Sequence, residues 1–148
     1  MNIIAIVQAR MTSTRLPGKV MKPINTDIPM IKVLLSRLSQ SKDVDKIILA
    51  TSTNTADKPL VEYVSKLGYS VFLGSENDVL DRYYHAAIQY SADIVVRITG
   101  DCPLIDPDVV DAVINMYKSI DADYVSNTIT PTYPDGLDVE VFSFSSLK

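Results

Sequence analysis

Three observations predict an α/β fold whose mostly parallel sheet is covered by helices on both faces. Strand-length apolar runs and helix-period segments take turns at least four times along the chain. The apolar runs are nearly continuous rather than alternating, as in strands buried on both faces. The breakers, Pro17-Gly18, Gly68, Gly74 and Gly100, fall where the runs end. At 148 residues the chain fits one domain, large enough to bury a continuous core.

Ile3-Ile4-Ala5-Ile6-Val7 predicts a buried first strand, left by a loop that contains Pro17-Gly18. Pro29 to Ser39 sets Ile31, Leu34, Leu35 and Leu38 at helical spacing, so one face should pack on the sheet. Lys46 to Thr51 reads as the second strand. Residues 56–67 read as a helix that ends at Gly68, a C-cap, and Ser70-Val71-Phe72-Leu73 as the third strand, closed by Gly74. Ser75-Glu76-Asn77-Asp78 offers cap residues for a helix to about Tyr90, and Asp93 to Ile98 is a fourth strand. Pro107 starts a helix at its favoured position, with Val109, Val110, Val113 and Ile114 inward and Asp106 as cap. Asp123-Tyr124-Val125 supplies a fifth strand, and Val139 to Phe144 alternates as a half-buried strand does. Phe144-Ser145-Ser146-Leu147-Lys148 reads as a strand exit followed by a capped helix start, so the single domain over 1–148 is expected to be incomplete at its carboxyl end.

Composition narrows the function classes. A chain 47% hydrophobic and 22% charged, without low-complexity tracts or internal repeats, is an ordinary soluble domain. It has no bilayer-length apolar stretch and no secretory signal layout, so the cytoplasm is the expected location and no membrane partner is expected. One cysteine, Cys102, and one histidine, His85, exclude an internal disulfide and a zinc cluster. A pI near 4.8 argues against nucleic acid, because long polyanions need a basic face.

The positive charge is concentrated instead. Residues 1–26 hold Arg10, Arg15, Lys19 and Lys22 with no acid, whereas residues 27–148 hold ten bases against 18 acids. In a parallel sheet the turn after the first strand lies at the carboxyl edge, where such folds bind ligands. The loop Gln8 to Lys19 joins guanidinium groups, hydroxyls and a glycine, the groups that hold phosphate by charge-assisted hydrogen bonds, although it is not a Walker loop. A nucleoside triphosphate is the expected ligand.

Two further constellations carry carboxylates. Asp101 follows the fourth strand and Gly100, and should project at the same edge; it either caps a turn or holds Mg²⁺ beside a bound triphosphate. In Pro134-Asp135-Gly136-Leu137-Asp138-Val139-Glu140, a turn signature precedes two carboxylates on one strand face. Asp138 and Glu140 could bind metal or sugar hydroxyls, or could equally be the solvent face of an edge strand, the commoner case. His85 shares the polar side of its helix with Asp81, Arg82 and Gln89 and reads as solvated. Cys102 reads as a small packed side chain.

Ala9 to Lys19 together with Gly100-Asp101-Cys102-Pro103-Leu104-Ile105 resemble the cytidylyltransferases that activate sugar acids, the acylneuraminate and 3-deoxy-manno-octulosonate enzymes. Gly74 to Tyr83 and Asp135 to Glu140 resemble the SpsF-like branch, named for spore coat polysaccharide biosynthesis. The resemblance runs from Ile3 to Phe144 and implies a Rossmann-like three-layer sandwich, the nucleotide-diphospho-sugar transferase fold. It also implies transfer of CMP from CTP to a sugar acid hydroxyl with release of pyrophosphate, dependent on Mg²⁺. Carried onto this chain, it implies that Arg10, Arg15 and Lys19 hold the triphosphate with Ser13 beside them. Arg10, Lys19 and Asp101 would be the catalytic set and Asp101 the metal ligand, while Ser75, Asp78 and Arg82 would line the nucleotide and acceptor pocket. Members commonly pair, which admits a homodimer. The better-known enzymes carry an acid where Cys102 stands and a further metal-binding aspartate beyond residue 148. Two alternatives remain open: a nucleotidyltransferase or glycosyltransferase with another donor or acceptor, and a nucleotide-binding module without catalysis.

Overall fold

The computed structural model describes residues 1–148. Six strands, β1 (Ile3–Gln8), β2 (Lys46–Ser52), β3 (Ser70–Gly74), β4 (Ile94–Thr99), β5 (Tyr124–Ser126) and β6 (Glu140–Ser143), form one sheet in the order β3-β2-β1-β4-β6-β5. The first four run parallel, and β6 lies antiparallel between β4 and β5. The helices are α1 (Met30–Leu38), α2 (Lys58–Lys66), α3 (Val79–Gln89) and α4 (Pro107–Ser119).

Helices α3 and α4 begin where a side chain satisfies free first-turn amides. Asp78 accepts from the Asp81 amide at the head of α3, and Asp106 accepts from the amides of Asp108 and Val109 at the head of α4, where Pro107, without an N–H, needs no acceptor. The alternating pleat of β1 then splits the core in two. Ile3, Ala5 and Val7 face Leu34, Leu35 and Leu38 of α1, Leu60 and Val64 of α2, and Val110, Val113 and Ile114 of α4. Ile4 and Ile6 face Tyr83, Ala86 and Ala87 of α3. Helices therefore cover both faces, as the continuous apolar runs require.

Two expectations are corrected. Strand β6 is interior, not an edge, and both Val141 and Phe142 are buried because helices cover the sheet on either side. Its Glu140 is therefore not a solvent-face carboxylate: it takes a bidentate pair from Arg97 Nη1 at 2.7 and 2.8 Å. Arg82 does not share the solvent side of α3 with His85. It is 1% exposed, while His85 stays exposed with Nδ1 3.1 Å from Asp81 Oδ1.

Candidate nucleotide site

The strand order dictates where a site can form. From β1 the chain runs outward through β2 and β3, then returns to place β4 on the other flank of β1, so the topology switches between β1 and β4. Loops leaving the carboxyl ends of two such strands diverge and leave a crevice. The basic loop leaves β1, and Gly100-Asp101 leaves β4.

Glycine at 100 is what lets the two strand ends meet. Its amide donates to Gln8 O at 2.7 Å, and a Cβ there would stand 2.6 Å from Ala9 Cβ and 2.8 Å from Gln8 O. Those atoms are backbone or bound tightly to it, so no side chain could yield. Asp101 is thereby held beside the basic loop, and its Oδ2 lies 3.4 Å from Lys19 Nζ. A cavity of about 290 Å³ is lined by Arg10, Ser13, Thr14, Arg15, Lys19 and Asp101, among others. Cations from one strand exit and a carboxylate from another, 82 residues apart, thus share one crevice.

The loop keeps Arg10 and Arg15 free because other groups hold its backbone. Asp57 is fully buried; it accepts from the Met11 amide at 2.6 Å, from the Ser52 amide at 3.3 Å and from the Ser52 hydroxyl. Glu76 accepts from Thr12 Oγ1 at 3.3 Å and from Asn54 Nδ2 at 3.1 Å. Gly18, at φ +69°, closes the loop by donating its amide to Met11 O at 2.8 Å. Ser13 Oγ accepts from the Leu16 amide at 3.3 Å. Sequence reasoning passed over Asp57 and gave Glu76 only as a cap residue of α3, whereas it holds Thr12 and Asn54. The available signal was an aspartate at the cap position before Pro59, five residues after the serine that ends β2.

Ser75, Asp78 and Arg82 lie elsewhere. None lines the cavity of the basic loop. Ser75 Oγ accepts from the Asp78 amide and Asp78 caps α3, while Arg82 donates Nε to Ser75 O and Nη2 to Glu76 O. Its Nη1 is buried without a partner, and so is Oε1 of Gln8, which lines the cavity. Burial and the nearby Arg10 cation push the Arg82 guanidinium below its ordinary pKa. Asp138 and Glu140 are parted: Asp138 lines a cavity with Asp101, whereas Glu140 lies beside Arg97 and Tyr83 on the α3 face.

Asp101 favours its ionised form. Burial works to raise its carboxyl, but the Thr99 hydroxyl and the Lys19 ammonium outweigh it and hold it below the ordinary value. The neighbouring Cys102, 6% exposed, is pushed up by burial and by Asp101, Asp138 and Asp135, which leaves a packed thiol of lowered reactivity. No three histidine, cysteine or acidic groups gather to hold an ion by themselves. A half-exposed carboxylate facing a phosphate-sized basic crevice fits instead the manner of Mg²⁺, which takes one or two carboxylates and completes its shell with phosphate oxygens and water.

Known proteins are similar to this chain in sequence and fold. The family model described as cytidylyltransferase matches residues 4–148. A protein of Methanocaldococcus jannaschii is 44% identical over 148 residues, covering 100% of this chain and 59% of that one. The spore coat polysaccharide biosynthesis protein SpsF of Bacillus subtilis is 39% identical over 127 residues, 83% of this chain and 52% of its own. A 3-deoxy-manno-octulosonate cytidylyltransferase of Pelobacter propionicus is 38% identical over 117 residues, 77% and 44% of the respective chains. Among solved structures, a cytidylyltransferase from Leptospira borgpetersenii superposes with a TM-score of 0.94 at 38% identity, covering 99% of this chain and 62% of the other. The chain spans about half the length of these curated relatives. With the family matched from the first strand to the last residue, and a fold that carries the matched loops to one crevice, the chain belongs to the cytidylyltransferase family.

Proposed function

We propose that the protein transfers CMP from CTP to a hydroxyl of a sugar acid, releasing pyrophosphate, in the synthesis of a bacterial surface or spore coat polysaccharide. The observation that carries this reading is the crevice in which Arg10, Arg15 and Lys19 face Asp101, with Lys19 Nζ and Asp101 Oδ2 3.4 Å apart. The names of the Bacillus and Pelobacter relatives support the sugar acid and the polysaccharide.

The acceptor hydroxyl attacks the α-phosphorus in line. The bond from phosphorus to the bridging oxygen breaks, the hydroxyl proton passes to water, and pyrophosphate leaves with its negative charge. This chain's work is positioning and charge neutralisation, since no activated nucleophile stands in the crevice. Arg10 and Arg15 bind the β- and γ-phosphates through guanidinium forks, and Lys19 meets the charge that grows on the departing pyrophosphate. Ser13, with Thr14, supplies neutral donors. Asp57 and Glu76 orient the loop so that these donors need not reorganise. A divalent cation, Mg²⁺ by the chemistry of its ligand, supplies further neutralisation when bound at Asp101. Gln8 Oε1, buried and unpartnered in the lining of the crevice, is the protein atom that a bound nucleotide stands to satisfy.

Pyrophosphate release is to be followed with CTP, UTP, ATP and GTP separately, in the presence of Mg²⁺ and a panel of 2-keto sugar acids. CTP alone should support release. Release from another triphosphate would change the donor, and binding of CTP without release to any acceptor would make the domain a nucleotide-binding module.

A further inference from the structure

The crevice of the basic loop opens onto a second cavity of opposite charge. Thr99 and Asp101 line both. The second cavity, about 660 Å³, contains Asp101, Asp135 and Asp138 between the apolar walls of Leu104 and Leu137, and no lysine, arginine or histidine lines it. A third cavity of about 330 Å³ continues past Asp135 and Asp138 to Asn127, Thr128 and Tyr133. Charge therefore changes sign across one residue. Asp101 turns Oδ2 to Lys19 at 3.4 Å, and its Oδ1 lies 3.8 Å from Cys102 Sγ on the acidic side.

We infer that the acidic cavity receives the end of the acceptor remote from the reacting hydroxyl, and that it admits hydroxyl or ammonium groups there and rejects a phosphate or a second carboxylate. The inference rests on the CMP-transfer reading, which puts the nucleotide phosphates on the basic loop and so leaves the space across Asp101 to the acceptor. A sugar acid's carboxylate, close to the reacting carbon, then stays at the junction beside Lys19, and its remaining carbons run into the acidic cavity. Ionised carboxylates only accept hydrogen bonds, so Asp135 and Asp138 complement hydroxyl and ammonium donors. An anion brought among three carboxylates would lose water and find no donor cation in the lining, a like-charge clash that discriminates between partners more strongly than a lost contact does. The amide and hydroxyls of Asn127, Thr128 and Tyr133 extend the same preference for neutral polyols.

The protein carries its own reporter, because its single cysteine, Cys102, lines this cavity. Methanethiosulfonate reagents of similar size that bear a trimethylammonium or a sulfonate group label a thiol by disulfide formation, with methanesulfinate as the leaving group. The rate ratio of the two on Cys102, divided by their ratio on a small free thiol, reads which charge the cavity admits. The ammonium reagent should be favoured by tenfold or more, and the Asp135→Asn/Asp138→Asn variant, shown folded by its thermal melt, should bring the ratio toward that of the free thiol. Equal rates, a preference for sulfonate, a preference unchanged in the variant, or no labelling of the folded protein by either reagent would each overturn the inference. Protein labelled by the ammonium reagent should still bind CTP in a calorimetric titration and lose acceptor-dependent pyrophosphate release; full release after labelling would also overturn it. A protein that binds no CTP before labelling would sink the CMP-transfer reading itself, an outcome distinct from a charge-blind cavity.

Discussion

The loop after β1 and the turn that opens α3 carry the same kinds of residue and use them in opposite ways. In the first, Arg10, Arg15 and Lys19 project into the crevice because Asp57 and Glu76, distant in sequence, hold the loop backbone and the Thr12 hydroxyl. In the second, Ser75, Asp78 and Arg82 are consumed locally, by one amide each for the serine and the aspartate and by two carbonyls for the arginine. A polar side chain is free to meet a ligand only when some other group satisfies the backbone around it. Residue type alone does not reveal which case applies.

Substitutions can break or sharpen this contrast. The largest loss of stability is expected for Asp57→Ala, which strands the amides of Met11 and Ser52 and the Ser52 hydroxyl in the interior. About 3 kcal/mol should vanish from the unfolding free energy in urea, and CTP affinity should fall with it. Lys19→Ala should show the reverse signature. Turnover should drop on the order of a hundredfold, whereas the melting curve should barely move because Lys19 is partly exposed and its pairing with Asp101 is a surface one. A Lys19→Ala protein with full pyrophosphate release would remove that residue from the mechanism.

Gly100→Ala should combine both signatures. The new methyl meets Ala9 Cβ and Gln8 O, so the ends of β1 and β4 must part, at a cost of about 2 kcal/mol in stability. The widened gap should raise the KM for CTP as well. Asp78→Ala should act on the other region only, lowering stability by about 1 kcal/mol through the lost cap of α3. Unchanged turnover at saturating CTP would place Asp78 outside the nucleotide pocket; a loss beyond tenfold would return it there.

The smallest expected effect is a pH dependence. Asp101 is held below the ordinary aspartate value of 3.8 in the folded protein, so its stabilising contribution is present above that value and is lost as pH falls through the lower, folded one. Side-chain carboxyl shifts in an NMR titration should show the Asp101 midpoint moving back up in Lys19→Ala. A midpoint that ignores the substitution would mean that Lys19 does not hold the carboxylate.

Much of this molecule is legible in its amino acids. The strands around Ile6, Ile48, Phe72 and Val95 and the helices around Leu34, Val64 and Ile114 all appear where periodicity puts them, and Asp106 caps α4 as its place before Pro107 requires. The meeting of the basic loop with Asp101 was also readable, since both follow apolar strands and parallel strands send such exits to one edge. What periodicity lacks is strand order. Nothing local in Val139 to Ser143 says that β4 and β5 will flank it, so its burial on both faces and the Glu140–Arg97 pair stay hidden. Asp57 was missed, and Arg82 was expected in the pocket rather than buried on α3, for a related reason: their partners lie on other segments or on carbonyls that composition does not register.

The position of β6 also bears on how the chain assembles as it is made. Strand β4 is complete by Thr99, yet the neighbour that occupies its outer edge begins only at Glu140, and β5 has no other strand to pair with. Through the synthesis of some forty intervening residues that edge presents bare amides and carbonyls, an invitation to stray pairing that a nascent polypeptide must survive. Ribosome-stalled chains ending before β6 should therefore be markedly more prone to aggregate or to recruit a holdase than chains that include it.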